Sequence, residues 1–147
     1  MASRISRYSE KGAAAVEFAI LLPLLLLVIF GGIEYGLLMY NKQILTNASR
    51  EAARAGIVSR APRLSDAQIQ AVARNYADAH MVTFDSTTTG IETPVVAYPG
   101  GQAFGDDLTV TVSYRYSFLL IPDLSGLFGE SLPGSLNLVA ATTMRYE

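Results

Sequence analysis

The sequence predicts an α+β protein: a long N-terminal membrane-spanning helix, then a small domain with one short helix and an antiparallel sheet of three or four strands. Three observations predict it. Residues 18–33 carry no charge. A helical period of three and four continues from that run to residue 55, and beyond residue 107 apolar and polar side chains alternate. The chain has 147 residues, half of them apolar and only 16% charged, which excludes disorder and a large multidomain machine. Charge is unevenly placed. Residues 1–63 hold eight Lys/Arg against four Asp/Glu, and residues 64–147 hold three against nine. A basic front and an acidic back argue against a nucleic-acid partner, because phosphate neutralisation needs a sustained basic surface. With no cysteine, disulfides, thiolate metal sites and a Cys nucleophile are excluded.

The apolar run decides the topology. Residues 13–40 are interrupted by charge only at Glu17 and Glu34. A spanning helix needs roughly 20 residues to cross ~30 Å of hydrocarbon, so the expected span is about 17–40. A core helix apolar all round would need a larger protein to surround it. A removable signal peptide fits the front end, where Arg4, Arg7 and Lys11 form a basic region. The run is too long for one, however, and Ile29, Phe30 or Glu34 would stand where a cleavage site wants a small residue. The lipid bilayer is therefore the first partner. Three Lys/Arg precede the span and two, Lys42 and Arg50, follow it closely, which favours a cytoplasmic N-terminus.

Glu17 is a carboxylate at the edge of hydrocarbon, where an ionised group is costly and marks a functional candidate. The plain alternative is that it reaches the headgroups or pairs with Lys11. If the chain were cut between Gly12 and Ala13, the new α-amino group would lie one turn from Glu17. A neighbouring subunit's amino group could then neutralise Glu17 when helices pack side by side. Pro23 lacks the N–H a straight helix needs, so a kink or local melting is expected there.

These residues carry a resemblance. Gly12 and Glu17, with a basic leader before and an apolar helix after, resemble the prepilin-peptidase site of type IV pilins. The string GAAAVEFAILLPLLLLVIFGGIEYG, with EAARAG later, more specifically resembles the TadE-like pseudopilins of tight-adherence (Flp) pili. The resemblance implies residues 1–12 as a leader cut by a prepilin peptidase between Gly12 and Ala13. It also implies Glu17 as the assembly carboxylate, and as partners other pilins or pseudopilins and inner-membrane pilus assembly proteins. Major pilins of this system have Glu-Tyr where this chain has Glu17-Phe18, and its tail is much longer than theirs. Both features favour a minor subunit.

Residues 13–58 then read as one helix, with Leu37, Tyr40, Ile44, Ala48, Ala52 and Ala55 on its apolar face and Asn41, Lys42, Asn47, Arg50 and Arg54 on the other. That face is expected to pack on the chain's own domain, residues 59–147, placed in the periplasm, or else on a partner helix. Pro62 breaks the chain. Ser65 to Gln68 is a capping box, with Leu64 and Ile69 as its staple, and opens a helix over about 65–80. The only histidine, His80, has no partner for a metal and reads as a helix-end residue. Residues 87–90 read as a loop, 91–98 as an irregular strand broken by Pro94, and 99–101 as a turn. Residues 108–118 are the clearest strand and 136–146 a weaker one. The apolar segment 119–135 is expected to fold as a lid on the sheet, the alternative being a patch for a partner.

No phosphate-binding loop, nucleophile elbow or His-rich site is present. The pair Asp106-Asp107 stands where turn residues belong. The chain therefore reads as no enzyme and as needing no cofactor or metal. The leading function is a minor pseudopilin-type structural subunit, at the inner membrane or incorporated in the pilus. The alternatives are an uncleaved, membrane-tethered binding or adhesion module and an anchored envelope enzyme.

Overall fold

The computed structural model describes residues 3–59, 61–83, 90–118 and 135–146, with backbone alone for residues 3–11. The expected lid over 119–135 and the loop over 87–89 fall outside this set, apart from Ser135 at its edge. The described chain forms five elements: helices α1 (Ser3–Ile57) and α2 (Asp66–His80), and strands β1 (Val95–Ala97), β2 (Asp107–Ser117) and β3 (Ser135–Arg145). The strands form one antiparallel sheet in the order β1-β2-β3. The fold is α+β.

Helix α1 is longer than expected at its front, since helical backbone begins at Ser3 and passes through Gly12. It also continues unbroken through Pro23. Of the two outcomes expected there, melting is not seen, although the ring removes the N–H that would have bonded the Ala19 carbonyl. Helix α2 is capped as its sequence reads. The Ser65 hydroxyl accepts from the Gln68 backbone N–H, and the Gln68 side chain accepts from the Ser65 N–H. Ile69 behind it is buried and Leu64 half-buried, the two ends of the expected staple.

In β2 the alternation does what it predicts. Leu108, Val110, Val112, Tyr114 and Tyr116 are buried in turn, while Thr109, Thr111, Ser113 and Arg115 occupy the opposite face. Register pairs Leu108 with Met144, Val112 with Ala140 and Tyr116 with Leu136. The expected strand over 91–98 shrinks to Val95–Ala97, because Pro94 has no N–H to give a ladder. Glu92, before the proline, still donates its N–H to the Ser113 carbonyl at 2.9 Å.

The core forms where α1 and α2 cover one face of this sheet. Leu45, Ala48, Ala52 and Ala53 of α1 meet Ile69, Ala73 and Ala77 of α2 and the buried residues of β2. Alanines let helix and sheet approach closely, and Gly56 extends this to the limit. A Cβ built there would fall 2.4 Å from Leu108 Cδ2 and 3.0 Å from Ile69 Cδ1. The helix also runs in step with the strand. Glu34 lies beside Tyr116 and Gly56 beside Leu108. That is ~33 Å of helix along ~26 Å of strand.

Packing shifts the expected helix face by one position. Ile44, Ala48 and Ala52 are buried as expected, but Tyr40 is 45% exposed and Asn41, expected on the wet side, is fully buried. Two layers rather than one cover the helix here, and α2 reaches the flank on which Asn41 lies.

Candidate functional site

The residues singled out for processing and assembly lie on the uncovered part of α1. Gly12, Ala13, Glu17 and Pro23 are all exposed, and a Cβ added at Gly12 would meet nothing within 4 Å. Nothing from the described part of the domain approaches them. The structure thus brings them together only along one helix, Ala13 and Glu17 one turn apart on the same side. This arrangement offers no pocket for chemistry. Among the described residues 12–33 it offers one carboxylate, exposed on an apolar stretch of helix.

The rod is long and apolar enough to cross a membrane, and its most apolar stretch is wholly uncovered. Its far boundary is set by the domain. Residues 13–33 are exposed apart from Leu22 and Gly31, and Glu34 is the first buried position. Twenty-one residues at 1.5 Å give ~31 Å, the thickness of the hydrocarbon layer. The expected span of about 17–40 therefore overlaps the domain's own contacts from Glu34 onward.

Glu34 is a functional-looking residue that periodicity alone marks only as an interruption. Tyr116 Oη donates to Glu34 Oε1 at 2.6 Å in a buried site. The Tyr116 ring is flanked edge-on by Tyr114 and Phe118, with centroids 6.4 and 5.8 Å away. A carboxylate shut into such an aromatic corner must have hydrogen-bond partners, because an isolated buried charge is very costly. Its signal in the sequence is an acid in an apolar run facing a tyrosine-rich strand 82 positions away.

A ladder of polar contacts continues along α1. Asn41 grips the backbone of Val82 with both ends of its amide: Nδ2 donates to the carbonyl at 2.9 Å and Oδ1 accepts from the N–H at 3.1 Å. The side chain therefore replaces a strand neighbour for the segment leaving α2, which is why a buried Asn is tolerated. Tyr40 Oη donates to the His80 carbonyl at 3.0 Å. Lys42 Nζ donates to the Val139 carbonyl of β3. Ser49 and Thr142 share a hydroxyl hydrogen bond of 2.7 Å. The domain is clamped to α1 from Glu34 to Ser49.

The other candidates have structural roles. His80 stacks on Tyr76 with centroids 4.5 Å apart, and its Nδ1 lies 2.8 Å from the Tyr76 carbonyl. Asp106 Oδ2 accepts from the Ala103 N–H at 2.7 Å, and Asp107 pairs with Arg145 at 3.2 Å. The acidic pair thus forms the turn and its flank. Among the described residues, no three His, Cys, Asp or Glu side chains gather where they could hold a metal.

Three tyrosines tie the domain's stability to alkaline pH. Burial holds the phenols of Tyr98, Tyr116 and Tyr146 above the ordinary tyrosine value. The Asp66 carboxylate adds to this at Tyr98 and Glu34 adds to it at Tyr116. At Tyr146 burial outweighs the opposing pull of Arg63. A phenol whose folded pKa is raised keeps its proton longer in the native state. Its contribution is complete below the unfolded value and lost as pH climbs above it. The thermal midpoint should therefore hold steady below pH ~9 and fall above pH ~10. Tyr98→Phe, which removes one of the titrations, should make the fall shallower. An alkaline limb identical in that variant would contradict the assignment.

A bare apolar helix of bilayer length, continuous with a small α+β domain clamped along it, is consistent with a single-pass membrane protein. Over residues 12–54 the chain matches the TadE-like protein family. That likeness covers under a third of the chain. The match opens at Gly12, covers the bare rod and the clamped part of α1, and ends before α2 and the sheet. No curated protein and no solved structure matches the chain.

Proposed function

We propose that this protein is a minor pseudopilin: a structural subunit, not an enzyme, that contributes to assembly of a tight-adherence pilus from the inner membrane. In this reading residues 1–12 are a cytoplasmic leader, and a prepilin peptidase cuts between Gly12 and Ala13. Residues 13–33 span the hydrocarbon, and the clamped domain stands in the periplasm. The observation that carries the reading is the exposure of Glu17 among apolar described neighbours. It is an exposed carboxylate on a rod whose neighbours within a turn are Ala13, Ala14, Ile20 and Leu21. The chain supplies no described partner on its own surface for such a group in hydrocarbon, so a second subunit is the natural source. The freed amine of a neighbouring Ala13 has the right charge and sits at the right depth. Other pilins and the inner-membrane assembly proteins are the partners this implies.

Co-expression with a prepilin peptidase tests the first step. N-terminal sequencing of membrane-extracted protein should begin Ala-Ala-Ala-Val-Glu, and the intact mass should fall by that of residues 1–12. A bulky residue in place of Gly12 should block the cut while leaving membrane insertion intact. Recovery of only the uncut chain would favour a tethered binding module.

A further inference from the structure

Helix α1 carries two boundaries that do not coincide. Cover by the domain begins at Glu34. The open side of the helix stays apolar beyond that point, with Tyr35 64% and Met39 40% exposed. It turns polar only from Gln43, followed by the exposed Arg50, Glu51 and Arg54. From Ile33 to Tyr40 is ~10 Å of helix. Headgroup layers add ~5–8 Å to each side of the hydrocarbon, so residues 34–38 lie within that layer if residues 13–33 fill the core. Side chains on a helix tilt toward its N-terminus, which carries Met39 back down into the same layer.

The sheet ends at this level too. Leu136 pairs with Tyr116, whose hydroxyl reaches Glu34, and Leu136 is 41% exposed. Tyr35, Met39 and Leu136 thus form an apolar collar at one end of the domain. No linker separates that end from the span, because the residue after Ile33 is already buried by the domain. Covalent continuity decides what the collar meets.

We propose that the domain is seated in the lipid headgroup layer, with Tyr35, Met39 and Leu136 as its membrane-contacting collar. The Glu34–Tyr116 bond then marks the level where hydrocarbon gives way to headgroups. Tyrosine suits this position, since its ring prefers the apolar side and its hydroxyl the wet one. The domain's tilt is set by two attachments, the span and the collar. The inference rests on the reading of residues 13–33 as the span, and the test separates the two.

The chain has no tryptophan, so single tryptophans report cleanly. Full-length Leu25→Trp, Leu136→Trp, Met39→Trp and Phe104→Trp would be reconstituted in phosphatidylcholine/phosphatidylglycerol vesicles, with and without lipids brominated near the top of the acyl chain. Phe104 is 84% exposed at the opposite end of the domain. Leu136→Trp and Met39→Trp should emit to the blue of Phe104→Trp and lose emission to the bromines, while Phe104→Trp should not. Met39→Trp covers the case in which Leu136→Trp disturbs the strand. Quenching at Leu25→Trp alone would mean that the domain stands clear of the bilayer, and would overturn the collar while leaving the span. Blue but unquenched emission at positions 39 and 136 would mean a protein surface covers them, and would also overturn it. Failure to quench Leu25→Trp would remove the span and the collar together.

Discussion

A Glu17→Leu variant should enter the membrane, be cut after Gly12, and still fail to crosslink to partner pilins or support piliation. Insertion becomes easier because an ionised carboxylate is unfavourable in hydrocarbon. Folding of the domain is untouched, since Glu17 is exposed and lies more than four turns before the first clamped residue, Glu34. Assembly is another matter. If Glu17 receives a neighbour's α-amino group, its loss strands that amine at the edge of the apolar layer. Removing one partner of a desolvated pair costs ~3–5 kcal/mol, and ~1.4 kcal/mol is already tenfold in an equilibrium. The expected drop in assembled subunit is therefore well over tenfold. Glu17→Asp, which keeps the charge on a shorter arm, should retain part of the function. Normal piliation by Glu17→Leu would end the assembly role and favour a tethered module.

The second large effect is expected where α1 meets the sheet. Leu108 is fully buried, and Leu108→Ala should destabilise the domain by ~2–5 kcal/mol through lost burial and the cavity left behind. That is a large share of the ~5–15 kcal/mol typical of a whole domain. Gly56→Ala should cost ~1–3 kcal/mol for the opposite reason, overpacking, because its new methyl would press on Leu108 and Ile69. Combined, the two changes should cost less than their sum. The methyl added at position 56 would occupy space that the Leu108 side chain vacates, and residues in contact couple by ~0.5–3 kcal/mol. Denaturant unfolding of the four proteins in detergent measures the cycle. Strict additivity would show that Gly56 is not there to admit Leu108.

The close approach at Gly56 is not legible in the sequence. There Gly56 is only a residue near the end of a helix expected over 13–58, and the helix ends at Ile57. That the glycine also makes room for a leucine 52 positions downstream depends on how helix and sheet are stacked. Glu34 and Asn41 show the same limit. Periodicity puts Asn41 on the wet side and makes Glu34 a flaw in an apolar run. Both are buried because distant backbone and a distant hydroxyl come to meet them.

What the sequence determined by itself is what depends on near neighbours along the chain. The uncharged run specifies a bilayer-length helix, since hydrogen bonding within the helix and apolar side chains outside it suffice in hydrocarbon. Ser65 and Gln68 specify the start of α2, because capping is settled within three residues. Alternation specifies β2 and β3 to within one residue, because side chains on a strand alternate whatever it packs against. The Gly12, Ala13 and Glu17 spacing is likewise visible without a fold. Only the tertiary structure decided where the bare apolar helix hands over to the domain, and which acid is enclosed and which is left exposed. Those outcomes turn on contacts between residues 40 to 80 or more positions apart. Local period says which face is apolar, but the partner that covers it is chosen by packing, and packing is settled only when all the elements meet.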